Sequence, residues 1–174
     1  MTNQGTPSTA GFATRFGVLF GLAGLFFSIF LIEFNLDNSV LSLIGYVIFI
    51  GGMVYAMLQY KQNTQSYMSY SQGVGLGAMY SAVSGLINGL LFSFYIRFIN
   101  VKFVEKMLND IKIKLEEQDQ LYDKQIESTL EIYSSLMQPG FFFLTTFIGT
   151  LLGGVIIALI VSAFMYKERS VFDN

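Results

Sequence analysis

A row of four carboxylates is the most regular group of residues in this sequence that could bind a ligand. They recur every four positions, at Asp119, Asp123, Glu127 and Glu131, so they would share one face of a helix. Carboxylate oxygens bind hard cations, which makes a metal site one interpretation of the row. The other interpretation is the solvated face of a surface helix, the usual role of carboxylates at this spacing. We favour the solvated face and predict neither a metal nor a cofactor.

The composition removes most other kinds of catalytic site. The sequence has no histidine and no cysteine, so it lacks the commonest general base and any thiol nucleophile. It also has no glycine-rich phosphate loop. The net charge of -2 and the pI near 5.0 come with no basic stripe that could meet a phosphate backbone, so nucleic acid is not an expected partner. We therefore predict that the protein is not an enzyme.

The remaining polar candidates are an amide and a group of basic residues. Asn88 is the one strongly polar side chain well inside an apolar stretch. It would either hydrogen-bond to a neighbouring helix or contact a substrate or ion. Arg97, Lys102 and Lys106 follow the same stretch and would either contact anionic lipid headgroups or form an ordinary charged surface.

Hydropathy places these residues in a membrane protein. Of the 174 residues, 53% are hydrophobic and only 13% charged, about half the charge of an average soluble domain. Four stretches reach the ~20 residues that a helix needs to cross a bilayer. Buried helices of a soluble bundle would need a polar face, and these stretches have none. The predicted spans, one to four, are Phe16–Phe34, Val40–Leu58, Val74–Ile99 and Phe141–Tyr166.

A polar segment, residues 100–139, separates spans three and four. Its apolar residues recur at helical spacing with an interruption at Gln118, which predicts two amphipathic helices outside the membrane, joined by a bend at residues 116–120. These helices would pack on each other or lie on the bilayer surface. Pro139 should end one helix or begin another. The chain thus divides into residues 1–99, with a tail and three spans, residues 100–139, and residues 140–174, with span four and a tail.

Small residues repeat every four positions through span three. In lipid, helices associate through close contact of their backbones, and a row of small residues permits that approach. The row could hold the spans of one chain together, or it could dock another copy or a different membrane protein. Shorter rows occur at Gly17 and Gly21, at Gly149 and Gly153, and at Gly154, Ala158 and Ser162. The row in span three consists of Gly73, Gly77, Ser81, Gly85 and Gly89.

Three segments, Tyr67–Gly77, Gln125–Phe142 and Gly153–Asn174, carry a resemblance that covers nearly the whole chain. The sequence resembles a family of small four-span proteins of Bacteroidetes, known as a domain of unknown function. The resemblance implies a bacterial inner membrane, with cytoplasmic termini and residues 100–139 in the periplasm, whereas counts of basic residues alone leave the orientation open. It also implies an accessory role beside a polyprenyl-phosphate glycosyltransferase, and it supplies no catalytic residues.

These observations predict an all-α integral membrane protein with four transmembrane helices and an amphipathic helical hairpin between the last two. The expected function is a non-enzymatic interaction or accessory subunit that anchors or organises a partner protein. Its partners would be membrane lipids and another membrane protein, or a second copy of the chain. Two alternatives remain: a small oligomeric channel, lipid carrier or flippase component, and a lipid-modifying enzyme that uses Lys and Asp or Glu between Arg97 and Lys114.

Overall fold

The computed structural model describes residues 8–36, 39–64, 67–117 and 123–167. Within these ranges the regular structure is helical, apart from one isolated bridge between Met68 and Lys167. The helices, in chain order, are α1 (Thr9–Glu33), α2 (Ser39–Asn63), α3 (Tyr70–Phe98), α4 (Lys102–Glu116), α5 (Asp123–Leu136) and α6 (Pro139–Met165).

Four of these helices, α1, α2, α3 and α6, are long and apolar enough to cross a membrane. The predicted fold class is therefore confirmed: the protein is an all-α, multi-pass membrane protein with two shorter amphipathic helices between its third and fourth spans. The predicted spans are too short at some ends. Helix α1 begins at Thr9 and α2 continues to Asn63, because polar residues at the membrane surface can continue a helix that hydropathy alone would end.

Local sequence explains where several helices begin and end. The Ser8 hydroxyl accepts a hydrogen bond from the Gly11 amide and caps the start of α1, as serine commonly does. Asn35 follows the end of α1 with a φ of 48°, a left-handed conformation that asparagine tolerates. Helix α6 begins at Pro139, where the missing amide hydrogen costs no helical bond. Pro139 therefore begins a helix, which is one of its two predicted roles.

The chain forms two compact units, Met1–Asn88 with Phe147–Asn174, and Gly89–Thr146. The first contains α1, α2, most of α3 and most of α6. Its core is unusually rich in methionine and tyrosine, and these flexible or amphipathic side chains fill the space between the glycines of neighbouring helices. The fully buried members are Ala13, Met53, Ala56, Met57, Met68, Leu76, Tyr80 and Ala158.

The second unit contains the end of α3, the hairpin of α4 and α5, and the start of α6. Phe92, Phe103 and Phe142, one from each of three helices, have ring centroids 5.8 to 6.3 Å apart. The Ser93 hydroxyl donates to the Pro139 carbonyl at 2.9 Å. Helices α4 and α5 pack against each other, as one of the two predicted arrangements requires. The predicted bend at Gln118 lies outside the described residues.

Candidate functional site

The small-residue row of α3 lies against α6 of the same chain. A Cβ atom placed on Gly73 would lie 2.7 Å from the Ser162 hydroxyl oxygen, and one on Gly77 would meet the Cβ of Ala158. A real Cβ does not approach other atoms so closely, so the two backbones are nearer to each other than larger residues would allow. Close approach of this kind is what a row of small residues provides in lipid.

The middle of the row repeats the arrangement. Ser81 faces Gly154, where any added Cβ would collide with the serine side chain. The Ser81 hydroxyl turns back to donate to the Gly77 carbonyl, 2.7 Å away, which satisfies it within its own helix. One turn later, a Cβ on Gly85 would lie 3.1 Å from the Thr150 Cβ. Within the first unit, the groove along this row is therefore occupied by α6 of the same chain.

The last member of the row belongs to the second unit. A Cβ on Gly89 would lie 2.9 Å from Cδ2 and 3.0 Å from the carbonyl oxygen of Phe143. Phe143 lies on the first turns of α6. Glycine is needed at position 89 because a phenylalanine ring and its backbone occupy the space that a side chain would take.

Helix α6 carries two predicted rows, and the structure uses them differently. The row of Gly154, Ala158 and Ser162 faces α3, whereas a Cβ on Gly149 or Gly153 would meet no atom within 4 Å in the part of the chain that the structure describes. The open pair therefore lies on a face that the chain leaves uncovered there. Ser162 is buried and its hydroxyl has no hydrogen-bond partner among the described residues.

The polar candidate inside the membrane, Asn88, joins α3 to α1. Its amide nitrogen donates to the Gly21 carbonyl at 3.1 Å and to the Ser84 carbonyl at 2.8 Å. The Ser84 hydroxyl donates to the Gly17 carbonyl at 2.9 Å. Glycines on α1 expose their carbonyls to these side chains because no Cβ stands between the helices. Asn88 therefore makes a contact between helices, which is one of its two predicted roles.

Sequence reasoning missed a third contact, between α3 and α2. The Tyr80 side chain is fully buried, and its hydroxyl donates to the Phe49 carbonyl at 3.0 Å. Gly52 makes room for it, because a Cβ there would lie 2.5 Å from the Tyr80 hydroxyl and would collide with Phe20. The available signal was a tyrosine in the middle of an apolar span, since a buried tyrosine hydroxyl usually finds a partner.

The basic candidates stay on the surface of the second unit. The side chains of Arg97, Lys102 and Lys106 are exposed. So are those of Glu127 and Glu131 on α5, whereas Asp119, from the same predicted acidic row, lies outside the described residues. Among the described residues no group of three carboxylates, histidines or cysteines is arranged to hold a metal ion.

A set of hydrogen bonds, here called the terminal latch, connects the end of α2 and the segment before α3 with the end of α6 and the residues that follow it. The Met68 amide donates to the Lys167 carbonyl at 3.0 Å, and the Lys167 amide donates to the Met68 carbonyl at 2.9 Å. The Lys61 ammonium donates to the Met165 carbonyl at 3.0 Å. A cation at the C-terminal end of a helix satisfies free carbonyls and opposes the negative end of the helix dipole.

These contacts hold the helices together. Deep in the first unit, the Ser81, Ser84 and Asn88 side chains all donate to backbone carbonyls. Bonds of this kind satisfy polar groups that would be costly in lipid.

The fold and these contacts define a class of protein, the small all-α membrane proteins with four helices long and apolar enough to cross a bilayer. Within that class, residues 15–167 match the family described as protein of unknown function, DUF4199. The chain belongs to this family, and the resemblance to a domain of unknown function is confirmed to that extent. Comparison with curated proteins and with solved structures found no match.

Proposed function

We propose that the protein is a non-enzymatic, membrane-embedded subunit that anchors or organises a partner protein. The observation that carries the proposal is the hairpin of α4 and α5, whose charged side chains are exposed on a unit attached to two membrane spans. Such a hairpin is a surface that another protein can recognise, and the spans that precede and follow it in the chain supply an anchor.

The use of polar groups inside the spans supports a structural role over a transport role. A path for an ion or a polar substrate needs side chains whose donors or acceptors point into it. Here the Ser84 hydroxyl and the Asn88 amide nitrogen donate to carbonyls of α1. Breaking these bonds to serve a substrate would weaken the contact between α1 and α3.

The small-residue row of α3 changes where a partner would dock. Because α6 lies against Gly73, Gly77 and Gly85, a partner helix could enter that groove only by displacing α6. We therefore assign partner recognition to the hairpin. The resemblance given above suggests that the partner is a polyprenyl-phosphate glycosyltransferase, a membrane enzyme beside which an accessory anchor could act.

For localisation, we propose the bacterial inner membrane, with both termini in the cytoplasm and residues 100–139 in the periplasm. Arg15, Lys61 and Lys167 lie near the ends of spans on the terminal side, and the connection of residues 34–38 has no basic residue. This distribution agrees with the positive-inside rule. The basic residues of the hairpin count in the other direction, so the proposed orientation relies on the family resemblance for support. Arg169, which adds to the terminal side, lies outside the described residues.

The test is a pull-down of the protein at its native level in mild detergent, read by mass spectrometry. We expect a second protein in stoichiometric amount. Reversing two exposed charges on α5 with Glu127→Lys and Glu131→Lys should remove that protein without changing the gel-filtration profile. The control introduces lysines at exposed sites on the other end of the spans, with Gln62→Lys and Asn63→Lys, and should retain it. Recovery of the chain alone, or with itself only, would contradict the proposal.

A small oligomeric channel, lipid carrier or flippase component is the second candidate. It is favoured by the open face at Gly149 and Gly153, since a path through such short chains would need several copies around it. Discrete oligomers in the same pull-down, with bound lipid and no second protein, would favour it over the accessory subunit.

A further inference from the structure

Helix α5 has a second apolar face besides the one that packs in the hairpin. Ile126 and Met137 are buried in the second unit. Ile132 and Leu136 are apolar too, yet their side chains are 62% and 49% exposed. They are one helical turn apart and therefore lie on the same side of α5. Two large aliphatic side chains side by side on a polar segment indicate a surface that something covers.

The course of the chain places this surface close to the membrane. Leu136 is the last residue of α5, and the fourth span begins at Pro139. Three Cα–Cα steps of about 3.8 Å put Leu136 no more than ~11 Å from the first residue of that span. The polar layer on each side of a bilayer is ~5 to 8 Å thick. The side chains of Leu136 and Ile132 are therefore within reach of the boundary between headgroups and hydrocarbon.

The other connection of the hairpin to the spans has the same character. Phe98 ends α3, Ile99 and Val101 lie between α3 and the start of α4, and all three are exposed to a similar degree. Arg97 and Lys102 are their neighbours in the sequence, and both side chains are exposed. Apolar side chains beside long basic ones suit the bilayer surface, where the aliphatic parts enter the lipid and the charges reach phosphate groups.

The remaining face of α5 is polar. Lys124, Ser128, Glu131 and Ser135 are exposed and contain no large apolar group. A short helix with one apolar face and one polar face lies parallel to a membrane surface with the apolar face down. A bilayer accounts for the exposed face without any further molecule, because Leu144, on the first turns of the apolar helix α6, is exposed as well.

We propose that the C-terminal half of α5 lies in the interfacial layer of the phospholipid bilayer, with Ile132 and Leu136 against the lipid chains. The hairpin is then held at a fixed height by lipid as well as by its two connections to the spans. This inference does not depend on the partner or on the accessory role proposed above.

The absence of native cysteine allows a direct test with single labels. Leu136→Cys and Ser134→Cys are a matched pair, because two residues correspond to about 200° of rotation around the helix. Each variant carries an environment-sensitive fluorophore and is reconstituted in vesicles of phosphatidylethanolamine and phosphatidylglycerol. Quenching by nitroxide-labelled lipid and by aqueous iodide is then measured. Equal gel-filtration profiles of the two variants establish that both have folded.

We expect the label at position 136 to be quenched severalfold more by nitroxide lipid than the label at position 134, and severalfold less by iodide. Equal quenching of both labels by iodide would place the face in water and overturn the proposal. Protection of position 136 from both quenchers would also overturn it, because a protein surface would then cover α5. If that protection disappeared on dilution with lipid, the covering surface would be a second copy of this chain.

Discussion

The Asn88 amide donates a hydrogen bond to the Gly21 carbonyl across the interface between α3 and α1, with 3.1 Å between the two atoms. A glycine at position 21 makes this bond possible, because the nearest atoms to a Cβ there would be the Ser84 Cα at 3.1 Å and the Asn88 amide nitrogen at 3.4 Å. The polar residue and the small residue therefore act as a pair. Each would be costly in a membrane span without the other.

Replacing Asn88 should lower the stability of the protein in detergent. Asn88→Leu removes the bond to Gly21 and should cost about 0.6 kcal/mol, with an upper limit of ~1.7 kcal/mol, as measured for hydrogen bonds between membrane helices. Thermal unfolding followed by circular dichroism measures the change. The control is Leu90→Ala on an exposed position of the same helix, which should have little effect. If the thermal midpoint of Asn88→Leu were unchanged, the bond would not stabilise the protein. Contact with a substrate or ion would then be the remaining predicted role of Asn88.

Two adjacent glycines of α2 should respond in opposite ways to the same substitution. Gly52→Ala places a methyl group against Phe20 and Tyr80 and should destabilise by about 1–3 kcal/mol, the usual cost of overpacking. Gly51→Ala enters open space and should be neutral, or stabilise by up to about 1 kcal/mol through the higher helix propensity of alanine. Thermal unfolding of both variants in one detergent measures the difference, and equal midpoints would contradict the close contact at Gly52.

The row of α3 provides a similar pair for assembly. Gly77→Leu should separate α3 from α6, because even a Cβ atom at that position meets Ala158, whereas Gly75→Leu enters open space. We expect Gly77→Leu to give an aggregated or broadened gel-filtration peak and Gly75→Leu to retain the normal one. A well-folded Gly77→Leu protein that had lost only its partner would instead assign the groove to docking.

Removing the cation of the terminal latch should weaken the end of α6. Lys61→Met breaks the bond to the Met165 carbonyl and should cost about 0.3–1 kcal/mol, the typical value of a cation at a helix C-terminus. The matched control is Lys112→Met, which loses an exposed pair with Glu116 at 3.7 Å. Exposed pairs of this spacing contribute about 0.3–0.5 kcal/mol. Equal and small losses would show that Lys61 adds no more than a surface charge.

Cysteine labelling in intact cells should decide the orientation. With the proposed topology, Ser128→Cys on α5 reacts with a membrane-impermeant maleimide once the outer membrane admits the reagent. Gln62→Cys at the end of α2 should react only after the inner membrane is permeabilised. Both side chains are exposed, so burial does not account for a difference. Labelling of Gln62→Cys alone in intact cells would reverse the topology.

The four spans could be predicted from sequence because a long apolar run has few alternatives in a cell. The division of α4 and α5 was also predictable, since the apolar period of 3.6 residues breaks at Gln118. Helix ends were harder. Tyr70 and Gln72 belong to α3 although neither is apolar enough to extend a hydropathy window.

Which rows of small residues meet could not be predicted. Gly149 with Gly153, and Gly154 with Ala158, have the same spacing, but the two pairs are offset by five residues and therefore point about 140° apart on α6. Hydropathy does not separate them, because both sides of the helix are apolar. The side of α6 that packs against α3 is determined by how the side chains of the two helices interdigitate, which depends on their three-dimensional shapes. The buried hydroxyl of Tyr80 was missed for the same reason, because its acceptor, the Phe49 carbonyl, lies on another helix.

The terminal latch also has a consequence for biosynthesis. Lys61 and the Met165 carbonyl that it bonds are 104 positions apart in the chain, and Met68 must likewise wait for Lys167. The first three spans can already be inserted while the ribosome is still synthesising the fourth. At that stage the carbonyl groups that accept hydrogen bonds from Lys61 and Met68 have not yet been made. Formation of the terminal latch is thus a late event in the insertion of the chain into a membrane.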